Sequence, residues 1–119
     1  MPNKDVEVPA YHSPAAYDEK NLNQIYKFVP IKDKDIITLF WFLPYLEKEY
    51  KTQPLKYHSH LFGHEGENSL LSFLKEKDLA LELSAGYDHE VHSFSNFYCD
   101  ITLTKNGLAN VNQVIEAVF

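Results

Sequence analysis

Only one cysteine, Cys99, occurs in the 119 residues. An internal disulfide is therefore excluded, and a reducing, cytoplasmic setting fits. Basic clusters are missing too: no run of lysines exceeds an isolated pair, and the formal net charge is -6. Nucleic acid and anionic membrane surfaces are accordingly not expected as partners. The longest apolar run, Ile36 to Leu43, is far too short to span a bilayer. The opening residues Met1-Pro2-Asn3-Lys4-Asp5 lack the apolar core of a signal peptide. Internal repeats, low-complexity tracts, Gly-rich phosphate loops and serine nucleophile elbows are likewise absent. What is present suffices for a core: 45 % of the residues are hydrophobic and 14 % aromatic, in a length suited to one domain or part of one.

In chain order, residues 1–18 hold Pro2, Pro9 and Pro14 and read as a linker or extended lead-in. Gln24 to Val29 alternates apolar and polar and predicts a short strand stopped by Pro30. Lys32 to Asp35 is a charged turn. Ile36 to Leu43 is apolar on both faces, which predicts a central strand covered on both sides and ended by Pro44. Tyr45 to Gln53 is a polar connection with room for a helical turn. Pro54 suits a first helical turn, so a helix is expected from Pro54 to Gly63. Gly63 and Gly66 break it. Asn68 is the expected cap of a second helix from Ser69 to Lys77. Leu79, Leu81 and Leu83 alternate with Ala80, Glu82 and Ser84, as in a strand. Ala85-Gly86 then allows close backbone approach, and Tyr87 to Glu90 reads as a turn. Val91 to Thr104 is the plainest strand, with Phe97, Cys99, Ile101 and Leu103 on one face. Thr104 to Gly107 starts a helix whose face carries Leu108, Val111, Ile115 and Val118. That stripe stops at Phe119 without a cap, the pattern of a chain cut inside a larger protein. The fold expected is α+β: a mostly antiparallel sheet of about four strands, helices on one face, truncated at its C-terminal end.

Three of the six histidines fall at His58, His60 and His64. A four-residue spacing on a helix places His60 and His64 on one face. An inverted zinc-peptidase motif, H-x-x-E-H, uses that spacing with a glutamate as general base. Here Gly63 occupies the base position. Glu65 follows His64 and points about 100° away on a helix, so it does not replace the base. Two histidines are half a zinc site. One reading is a small metal-binding module built on His58, His60 and His64; another is a plain structural or subunit-contact domain. Cys99, among core residues, reads as a buried small hydrophobe rather than a nucleophile.

The string from Leu55 to Lys77, LKYHSHLFGHEGENSLLSFLKEK, resembles the start of the second domain of insulinase/pitrilysin-type zinc metallopeptidases, the insulysin branch above all. Gln24 to Asp33 upstream and Asp100 to Leu108 downstream resemble the same region, so the likeness runs from about Tyr17 to the end. It implies four related α/β domains closing a chamber. The first holds zinc; the second repeats the fold without the metal site. Residues 19–119 would be the front part of that second domain, with no catalytic residue and no metal of its own. The resemblance further implies an exosite that anchors peptide substrates: His60, Gly63 and Glu65, with the strand Leu83, Ser84, Ala85, Gly86 and Tyr87 pairing with the peptide backbone. Glu65 would meet a peptide's α-ammonium group. The family usually has Pro-Gly at Glu67-Asn68, two glycines at Ala85-Gly86 and glutamine at Tyr87. Expected partners are peptide substrates, the other domains of the parent chain, and a second copy through exposed sheet edges.

Overall fold

The computed structural model describes residues 3–6, 20–29, 31, 34–90 and 94–119. These include β1 (Ile36–Pro44), a 3-10 turn (Glu47–Glu49), α1 (Pro54–Phe62), α2 (Leu70–Glu76), β2 (Ala80–Glu90), β3 (Phe94–Leu103), α3 (Lys105–Ala109) and α4 (Val111–Val118). The strands form one antiparallel sheet in the order β1-β3-β2. Among the described residues it has three strands rather than about four. The α+β class and the antiparallel pairing are as expected.

β3 is central, and its burial alternates along its length. Cys99 and Ile101 are fully buried, and they meet Leu74, Leu79, Leu83 and Val114 in one cluster. Helices cover this face: α1 and α2 lie on β2, and α4 packs against α2. Burying each such side chain contributes roughly 1.5–3 kcal/mol. Asn96, Tyr98, Asp100 and Thr102 point to the other face, as their parity requires.

Several expectations change. Gln24 to Val29 forms no strand; Phe28 and Val29 are almost fully exposed, with no neighbouring strand among the described residues to pair with. β1 is an edge strand of the described sheet, not a central one. Its continuous apolar run has a different cause: Phe40 and Phe42 stack beside Tyr98 and Phe94 on the face left uncovered by the described residues. β2 continues through Tyr87 to Glu90, paired with Phe97 to Phe94, where a turn was expected. A bulge between Ala80 and Glu82 breaks the leucine alternation, so Leu81 is exposed while Leu79 and Leu83 are buried. Pro30, the pair Lys32-Asp33, the segment 91–93 and most of the lead-in lie outside the described residues.

Helix ends explain two further differences. The cap of α2 is Ser69, whose Oγ accepts from the Ser72 N–H at 3.1 Å. Asn68 instead takes the left-handed backbone before it, with φ 62°. α2 closes in a Schellman motif. Asp78 is left-handed, the Leu79 N–H donates to the Leu74 carbonyl at 2.8 Å, and the Asp78 N–H donates to that of Lys75 at 3.0 Å. The two leucines then meet in the core. At the C-terminal end, a break at Asn110 separates α3 from α4. Leu108 is thereby left half exposed, and Val114 is the buried residue of the stripe, with Val111 and Val118 partly buried against the core.

Burial has one measurable consequence at Cys99. Desolvation, with Asp100 adding to it, pushes the thiol up to about 11 from its ordinary 9.0. The folded chain therefore holds this proton where the unfolded chain releases it, so stability falls as pH rises from 9 to 11. The expected loss is on the order of 2–3 kcal/mol. Urea titrations across that range should show this slope in the native chain and not in Cys99→Ala; equal slopes would refute it.

Candidate functional site

The outer edge of β2, on the side away from β3, is where most of the expected site residues gather. Its orientation follows from two bonds at the end of the sheet. The Leu103 N–H donates to the Asp35 carbonyl at 2.8 Å, toward β1, and the Thr104 N–H donates to that of Leu79 at 3.2 Å, toward β2. By alternation, odd residues of β3 bond to β1 and even ones to β2. Register then makes Ser84, Gly86 and Asp88 the residues of β2 that bond to β3. Leu83, Ala85 and Tyr87 turn their backbone groups outward, away from the sheet.

α1 runs along this edge. Pro54 opens it, following Gln53 in left-handed geometry, and Gly63 closes it with its N–H on the Ser59 carbonyl at 2.9 Å. A Cβ on Gly63 would stand 3.0 Å from that carbonyl and 3.8 Å, an ordinary contact distance, from the Ala85 nitrogen, so the helix end lies against the strand. Ser59 makes the direct link: its Oγ donates to the Ala85 carbonyl at 2.8 Å. Sequence reasoning missed Ser59. Its one signal is position, a small polar residue one helical turn before Gly63.

Glu65, exposed beyond the helix end, lines one open groove with Leu83, Ser84, Leu71 and Lys75. The structure thus brings Gly63, Glu65, Leu83, Ser84 and Ala85 around one stretch of edge. The remaining candidates stand apart. Gly86 lies under the Tyr98 side chain on the uncovered face, and any Cβ there would strike the phenol. Tyr87 lines a separate cleft of about 200 Å3 with Leu46, Tyr50, Gln53 and Pro54. His60 is exposed on α1.

His60 and His64 do not share a helical face as expected, because α1 ends at Phe62. Their rings still sit 6.0 Å apart, centre to centre. The His64 ring folds back on Gly66, whose missing side chain makes room for Nε2. Zinc takes four donors, at least three from protein. Among the described residues no group of three His, Cys, Asp or Glu side chains lies together. With Gly63 at the position of the base as well, the described residues do not fit a zinc ion. Nor is any helix among them long and apolar enough to cross a membrane.

An open antiparallel sheet with helices over one face is the architecture of a pitrilysin-like fold. The crystal structure of pitrilysin superposes with a TM-score of 0.68 over 72 % of this chain and 9 % of its own, at 22 % identity. Residues 2–119 match the family described as the Peptidase M16 inactive domain, and the chain belongs to that family. Human insulin-degrading enzyme is 38 % identical over 98 % of the chain. Human nardilysin is 36 % identical over all of it, and the A-factor-processing enzyme of Saccharomyces cerevisiae is 39 % identical over 98 %. The chain spans 11 % of the length of each of these three relatives.

Proposed function

We propose that the chain is the substrate-anchoring, chamber-lining part of a zinc metalloendopeptidase that degrades peptides, with zinc and the catalytic residues on another domain. The observation that carries this is the outward backbone of Leu83 and Ala85, with Leu83 and Glu65 lining the same groove. Backbone pairing grips an extended peptide of any sequence, and the carboxylate meets its α-ammonium end. That combination suits an enzyme that holds many peptides loosely. Family membership and the kinship with insulin-degrading enzyme support the peptidase setting. A buried, free Cys99 fits a cytoplasmic location. The outer edge of β1, with no strand against it among the described residues, fits self-association of the chain in isolation.

Titration of a labelled, extended peptide against the chain tests the anchor. Glu65→Gln is expected to weaken binding about two- to fivefold, the range for an exposed ion pair. Acetylating the peptide's amine should cost as much, and the two changes together no more than either alone. Additive losses, or no loss on acetylation, would remove Glu65 from the anchor. The same mixtures should show no hydrolysis; chelator-sensitive cleavage by the chain would overturn the assignment of catalysis to another domain.

A further inference from the structure

Ser59 stands in the middle of α1, one turn before Gly63 and over the edge of β2. A serine inside a helix commonly bonds its own preceding turn or water. This one reaches 26 positions along the chain to the Ala85 carbonyl, at 2.8 Å, and is half-buried there. By register that carbonyl points out of the sheet, so it is the acceptor that the N–H of an added strand requires. Gly63 brings the helix backbone close to the nitrogen of the same residue. Both outward groups of Ala85 therefore face α1.

We infer that Ser59 is a latch on the β2 edge, competing with an incoming peptide N–H for the Ala85 carbonyl. The inference rests on the reading of that edge as the peptide anchor. Seating a strand past Leu83 exchanges one neutral hydrogen bond for another, so the native edge gains little from pairing at Ala85. With the hydroxyl gone, the same carbonyl is open to the peptide. Ser59 then acts on substrate affinity and on how far along the edge a peptide pairs. It touches no reacting atom.

The test compares the native chain, Ser59→Ala and Ser59→Thr in titrations with one labelled, extended peptide, alongside thermal unfolding. Ser59→Ala should bind about five- to tenfold more tightly while melting at a lower temperature. Ser59→Thr, which restores a hydroxyl, should return to within about twofold of the native affinity. Supporting the helix alone would make affinity fall together with stability, so the opposite movement of the two identifies a latch. If Ser59→Ala does not fold, Ser59→Cys keeps the volume, weakens the donor and should also bind more tightly than the native chain. Equal or weaker binding by a folded variant, with the native chain binding, overturns the latch and leaves the anchor standing. Absence of binding by every protein overturns both.

Discussion

Gly107→Ala is expected to destabilise the chain by about 3 kcal/mol or more, although alanine at a helical position usually gains ~1 kcal/mol over glycine. The sign reverses because Gly107 is buried in the first turn of α3, against the backbone of β2's entry. A Cβ there would drive into the Leu79 carbonyl oxygen and stand 2.8 Å from its carbon. Neither atom can swing aside. The Leu79 carbonyl accepts the Thr104 N–H at 3.2 Å, and the Thr104 hydroxyl accepts the Gly107 N–H at 2.8 Å while donating to the Asp78 carbonyl at 2.6 Å. Shifting any one of these groups strains the others, and Leu79 is also a core residue and the last position of the Schellman motif. Thermal unfolding should show a drop of more than about 10 °C. Leu108→Ala, next door but half exposed, should move the midpoint only slightly. A Gly107→Ala chain as stable as the native one would mean that the helix start does not pass so close to β2.

Much of the fold follows from local chemistry that the sequence states openly. β3 is legible because its alternation is strict and its inner residues are apolar or small. α1 is legible because Pro54 and Gly63 bracket it. Errors arise where one residue pattern serves two structures. Phe40 and Phe42 make β1 apolar all round, which reads as burial on both sides, whereas the rings stack on each other across an uncovered face. The alternating Gln24 to Val29 has the pattern of a strand and, among the described residues, no strand beside it. Asn68 and Ser69 are both good caps, and only backbone geometry separates the left-handed residue from the one that accepts the bond. The stripe from Leu108 to Val118 assumes one continuous helix, and the break at Asn110 turns Leu108 out of it.

The candidate site is legible in a different way. His60 and His64 at helical spacing point toward metal, and Gly63 at the base position argues against catalysis. Neither indicates an edge strand 20 residues later. Alternation marks Leu83 and Ser84 as strand, but a binding role for Leu83 to Tyr87 follows from family resemblance alone, because an outward backbone leaves no mark on residue type. Register divides that strand into two sets. Leu83, Ala85 and Tyr87 turn their backbone outward, while Ser84 and Gly86 turn theirs to β3. Ser59 was invisible for a related reason: its partner is a carbonyl, and carbonyls are the same at every residue.

Ile101→Ala should cost about 3 kcal/mol, within the usual range for removing a fully buried Ile side chain down to Cβ. Ile101 lies on the central strand, opposite Ile37 of β1 on one side and Leu83 of β2 on the other. Both neighbours pack against the same core, so the cavity would open where the two outer strands share their support. Ile101→Val removes one methylene and should cost about 1 kcal/mol. Urea unfolding measures both, and a common slope would show that the denatured state is unchanged. The pair also separates support from recognition. In the proposed reading of the edge, Ile101 supports it from the covered face, opposite Leu83, and lies outside the peptide's contacts. Under conditions where Ile101→Val stays folded, its peptide affinity should match that of the native chain. A folded Ile101→Val chain that binds more weakly would mean that the edge owes its grip to its depth of packing as well as to its outward backbone, and β3 would then have to be counted as part of the site.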